Sequence, residues 1–179
     1  MLKQNANMQR SKWTERKFTF DYPTGWLPNI LERLHGTAAR IKEMTTSLTE
    51  EKAELKPVGK WSIKENIGHL ADIEELHEGR IDDFIARKTM LRPADMKNEK
   101  THSANHNGKS FHQLVYDFNK KREQFISCLR KLDDETMDFS SLHPRLQTMM
   151  RPVDVAFFTA EHDDHHLADI REILATLNK

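Results

Sequence analysis

Glu161-His162-Asp163-Asp164-His165-His166 lies deep inside the last apolar-periodic segment of the chain. Residues four apart on a helix stand one above the other, so His162 and His166 share a face. Two imidazoles at that spacing can grip a metal ion but cannot complete its coordination. A third candidate is His69, whose surroundings His69-Leu70-Ala71-Asp72-Ile73 repeat in His166-Leu167-Ala168-Asp169-Ile170. The repeat suggests that two helices present a histidine in the same orientation toward a shared interior. On spacing alone, a polar helix face with solvated rings competes with this reading, because the chain carries ten histidines.

Working outward, four segments carry helical periodicity. The first begins near Trp26 or Pro28, a proline suited to a first turn, and runs through Ile30, Leu31, Leu34, Ala38, Ile41 and Met44. The second opens on a capping-box pattern, Ser62 with Glu65, with Trp61 in a staple position. Its stripe of Ile63, Ile67, Leu70, Ile73, Ile81 and Phe84 extends to about Lys88. The third starts at Ser110 and continues through Leu114, Phe118, Phe125, Leu129 and Leu132, until Asp133-Asp134-Glu135 ends it. Pro152 opens the fourth, which reaches Leu177. No convincing alternating strand appears. The expected fold is therefore all-α, a four-helix bundle with long connections. Residues 1–20 read as an arm without regular structure, anchored by Trp13, Phe18 and Phe20, and residues 21–179 as the bundle domain. Residues 89–109, with Pro93, Gly108, His102 and His106, read as a structureless lid or an embellishment near a site.

Lys and Arg number 28, as do Asp and Glu, so the net charge is zero. That balance excludes the basic footprint of a nucleic-acid binder and attraction to an anionic membrane. No apolar run approaches the roughly 20 residues that cross a bilayer. The N-terminal residues lack the apolar core of a secretory signal, and the single Cys128 fits a reducing cytoplasm.

Lys60-Trp61-Ser62-Ile63-Lys64-Glu65-Asn66-Ile67-Gly68-His69-Leu70 resembles the second-helix motif of the DinB-like bundle proteins. His143-Pro144-Arg145-Leu146, and Glu161-His162 through His166-Leu167, resemble that family's later motifs. The similar region spans roughly Pro23 to Leu177. The resemblance implies a three-histidine divalent-metal site on His69, His162 and His166, zinc or nickel as the ion, and often a homodimer. It also implies kinship with metal-dependent transferases that use low-molecular-weight thiols. The long 89–109 segment departs from the pattern.

Three imidazoles with an open coordination position suit a catalytic site rather than a closed structural one. The expectation is a small-molecule enzyme, a thiol S-transferase or a hydrolase. The alternative is a non-catalytic bundle that senses or stores metal or binds a partner. Asp72, Asp163, Asp164 and Asp169 are candidates to orient the imidazoles. No general base is assigned, and the absence of His-Glu-x-x-His argues against peptide hydrolysis. His165 points about 100° from His166 on an ideal helix and reads as surface or supporting. His77 reads as bundle boundary, His102 and His106 as solvated, and Cys128 as a small buried side chain.

Overall fold

The computed structural model describes residues 10–177. The elements in order are α1 (Leu27–Met44), α2 (Glu50–Glu54), α3 (Ile63–Ile85), α4 (Glu99–Ser103), α5 (Phe111–Arg130), α6 (Asp134–Asp138), β1 (Ser141–His143), β2 (Thr148–Met150) and α7 (Pro152–Leu177). Helices α1, α3, α5 and α7 form the four-helix bundle. Each of α1 and α3 packs on both α5 and α7, so α1 and α3 occupy one diagonal and α5 and α7 the other. Long connections are compatible with adjacent and non-adjacent topologies; here the first two long helices are not neighbours. Among the described residues no helix is long and apolar enough to cross a membrane.

Local chemistry sets the helix starts. Pro28 sits in the first turn of α1. The Ser62 hydroxyl accepts from the Glu65 N–H while the Glu65 carboxylate accepts from the Ser62 N–H at 2.9 Å, completing the capping box of α3. Ser110 accepts from the Gln113 N–H at the head of α5. The Trp61 ring, in the staple position, stands 4.8 Å from the His69 ring.

The interior divides into two apolar clusters. Leu34, Phe84, Phe125 and Phe158 belong to one, and Ala38, Ile67, Leu70, Phe118 and Leu167 to the other. Between them runs a buried polar layer with one residue from each long helix: Thr37, Glu74, Arg122 and Asp163. Arg122 Nη2 donates to Glu74 at 2.6 Å and to Asp163 at 2.9 Å, and the Thr37 hydroxyl donates to Asp163 at 2.7 Å. Burying two carboxylates around one guanidinium is tolerated because every charge has a partner.

Several connections carry more structure than their composition suggests. Residues 141–150 form an antiparallel hairpin with His143 opposite Thr148, and Met90 bridges to Leu142 beside it. The 89–109 segment is not structureless: it contains α4 and a 3₁₀ turn at His106–Gly108. Helix α3 ends at Ile85 rather than Lys88, and Arg87 then adopts φ 52°. Asp133 does not end α5 but caps α6, accepting from the Thr136 N–H at 2.8 Å. The arm holds a 3₁₀ turn at Trp13–Glu15, and Trp13, Phe18 and Phe20 pack against Phe158 of α7. The part of the expected arm before Arg10 lies outside the described residues.

Candidate metal centre

Helix α7 contributes His162 and His166, one turn apart on its inward face, and α3 contributes His69 across the interface. The ring centroids are 4.6 Å apart for His162 and His166, 4.8 Å for His69 and His166, and 5.3 Å for His69 and His162. One nitrogen from each ring lies within 4.8 Å of the other two, and all three residues are buried. His162 Nε2 and His166 Nε2 are 3.2 Å apart. That matches the roughly 3.3 Å edge of a tetrahedron with zinc–nitrogen bonds of about 2.0–2.1 Å.

Hydrogen bonds behind the rings decide which nitrogen faces inward. The Asn66 amide nitrogen donates to the Ser62 carbonyl at 2.8 Å, which turns Oδ1 toward His166 Nδ1, also at 2.8 Å. His166 therefore carries its proton on Nδ1 and presents a bare Nε2. Thr101 of α4 plays the corresponding part for His69. Its hydroxyl donates to Asp72 at 3.0 Å and so accepts from His69 Nδ1 at 3.1 Å. His69 Nε2 is thereby left with its lone pair. His162 Nδ1 is buried with no hydrogen-bond partner among the described residues.

All three imidazoles are held neutral, as metal ligation requires. Burial lowers His69 to about 4 against the opposing pull of Asp72. Burial, and then the neighbouring histidines, lower His162 and His166 well below the ordinary value. Two indoles flank the group. Trp61 lies 4.8 Å from His69 and nearly parallel to His166 at 6.0 Å, and Trp13 sits edge-on to His162 at 5.0 Å.

Of the four aspartates read as orienting partners, only Asp72 reaches a ring of the cluster, and it does so through Thr101. Asp163 is committed to Arg122. Asp164 pairs with Arg33 and Arg40, and Asp169 with Arg10 and His165. His106 is not solvated: it is buried, and its Nε2 donates to Asp72 at 2.8 Å. His102 is exposed, as expected. His77 is buried inside the bundle rather than at its boundary, 3.4 Å from Glu74. Cys128 is partly buried, and burial raises its thiol pKa. Asn66 and Thr101, which hydrogen-bond rings of the cluster, are residues that the sequence pattern does not single out. Asn66 stands three residues before His69 on the same helix face, a usable signal, whereas nothing in the sequence marks Thr101.

The three histidines stand in the wall of a cavity of about 390 Å³, which also reaches His165, His77, Arg80, His143 and Arg145. That volume falls within the roughly 300–1,000 Å³ range typical of small-molecule pockets.

Fold and site together define a four-helix bundle with a buried three-histidine cluster opening onto a cavity. The DinB superfamily pattern matches residues 33–170, most of the chain, and the protein belongs to that superfamily. Among solved structures, the chain resembles YfiT from Bacillus subtilis, described as a probable metal-dependent hydrolase with an unusual four-helix bundle topology. The TM-score is 0.78 at 18% identity, covering 92% of this chain and 94% of that one. At that identity the likeness bears on the fold. No curated protein matches the sequence.

Proposed function

We propose that the protein is a divalent-metal-dependent enzyme acting on a small molecule by hydrolysis or thiol transfer, with His69, His162 and His166 as the metal ligands. The observation that carries the proposal is the set of inward nitrogens, two of them stripped of protons by Asn66 and Thr101, at a cavity wall. Zinc or nickel suits an all-imidazole set. When bound, such an ion supplies a water with a pKa near 7 or holds a thiol as thiolate.

The chain's own residues do the positioning. Asn66 and the Asp72–Thr101 pair fix ring orientation, and Trp13 and Trp61 keep bulk water from the flanks. The description of YfiT as a probable metal-dependent hydrolase favours hydrolysis, and the family resemblance adds thiol transfer. An open cavity favours turnover over a sensing or storage role, since a storage site has no use for a substrate chamber. A homodimer in a reducing cytoplasm is the setting we propose.

Elemental analysis of the purified protein, beside His69→Ala and His166→Ala, tests the ligand set. One divalent ion per chain, lost in each variant, is expected; retention in both variants overturns it. Metal-loaded protein is then offered an activated ester, and separately an electrophile with and without a panel of small thiols. Metal-dependent consumption in either assay supports an enzyme and tells the two reactions apart. No consumption above the metal-free control in both assays favours the non-catalytic reading.

A further inference from the structure

The end of the cavity away from the histidine cluster carries Arg80, Arg145 and His143, whose side-chain donors are mostly without an acceptor among the described residues. Arg80 of α3 is only 3% exposed, yet among the described residues its guanidinium makes one hydrogen bond, from Nε to the Arg92 carbonyl at 3.3 Å. The carboxylate whose charge acts on it, Asp83, is already engaged by Lys88 and Arg92. Arg145, in the turn of the hairpin, is half-buried with its guanidinium 5.8 Å from the Phe158 ring. Neither arginine has an ion-pair partner among the described residues.

His143 adds a third donor. It is 2% exposed, and its Nδ1 accepts from the Leu146 N–H at 3.2 Å. A neutral ring that accepts at Nδ1 carries its proton on Nε2. That Nε2 is buried with no partner among the described residues. Burial, then Arg80 and Arg145, push the His143 imidazole down to about 3, so the ring is neutral at physiological pH. Two buried or half-buried guanidiniums and an N–H donor without an acceptor are costly to leave unmet.

We propose that Arg80, Arg145 and His143 Nε2 form the binding site for an anionic group, a carboxylate or phosphate, of the molecule that reacts at the histidine cluster. Planar guanidiniums match both anions in fork geometry. Along α3, His69, Ile73, Leu76 and Arg80 follow at intervals of four, three and four, so one helix face runs from the cluster to this end. Eleven residues of helix rise about 16 Å, and helical side chains lean back toward the N-terminus, so Arg80 reaches toward His69. Ile73, Leu76 and Phe158 lie between the two ends. The ligand this describes is small and elongated: an anionic tail, an apolar stem and a reactive head. Only the placement of the reactive head rests on the metal-enzyme reading above. The anion site stands on its own contacts.

Hexanoate and hexanol are titrated into the protein, with and without added zinc, following tryptophan fluorescence or heat. Hexanoate is expected to bind at least about ten-fold tighter than hexanol in both states. That preference disappears in Arg145→Gln and Arg80→Gln and is partly kept in Arg80→Lys. Hexyl phosphate run alongside tells which anion the site prefers, and selective binding of either supports the proposal. Equal binding of charged and neutral probes by the wild type overturns it, as does a preference unchanged in both glutamine variants. If Arg80→Gln does not fold, Arg145→Gln, in a hairpin turn outside the core, decides between these outcomes. 6-Mercaptohexanoate separates the two readings: if zinc adds nothing to its affinity over hexanoate, the metal assignment fails while the anion site holds.

Discussion

The Asn66 amide oxygen lies 2.8 Å from His166 Nδ1, across the interface between α3 and α7. Because the same amide donates from its nitrogen to Ser62, the group cannot flip without losing both contacts. An asparagine on α3 thus sets the protonation pattern of a histidine on α7.

Asn66→Ala frees His166 to carry its proton on either nitrogen. Metal affinity is expected to fall about 10- to 100-fold, the usual loss for a partner behind a ligating histidine. Competition with a chromophoric chelator measures it. An affinity equal to wild type would mean that Asn66 does not govern the His166 tautomer.

Gly68→Ala tests the support behind His69. A methyl group at Gly68 would fall 2.2 Å from the His106 ring, which Asp72 holds in place. The ring must move, at a cost of about 1–3 kcal/mol. Asp72 and Thr101 move with it, so metal affinity should drop together with the urea midpoint.

Arg122→Met leaves Glu74 and Asp163 buried without their cation. Breaking a buried ion pair in this way costs about 3–5 kcal/mol, readable by urea denaturation. Replacing Glu74 and Asp163 by apolar residues in the same protein should recover much of the loss. That recovery would show that the layer adds little net stability.

The pH dependence has a definite sign. Folded His143 takes up a proton only near pH 3, whereas in the unfolded chain an imidazole titrates near 6.5. Acidification from 6.5 toward 3 therefore protonates the unfolded state first. The stability linked to this residue is full above 6.5 and is lost as the pH falls through that window. Thermal melts of metal-free protein should decline across it, less steeply in His143→Gln.

The long helices were legible because their apolar residues recur at helical spacing over five turns or more, and the His162–His166 pair because one turn of helix defines it. The repeated His-Leu-Ala-Asp-Ile string was informative for the histidines, which do face a common space. The two aspartates of the string take different partners: Asp72 turns to Thr101 and His106, and Asp169 to Arg10 and His165. The hairpin escaped because three-residue strands are too short to show alternation. Helix α4 escaped because five residues carry little more than one turn of periodicity. Thr101 could not be found without knowing that α4 folds back over His69.

Trp13 stands twenty residues ahead of the segment that matches the superfamily, yet its indole packs on His162 and closes one side of the chamber. The inherited unit and the working unit therefore have different borders. A truncation that begins at residue 33 would keep the three clustered imidazoles and strip away one of their two aromatic walls, so boundaries drawn by ancestry alone would yield a breached vessel.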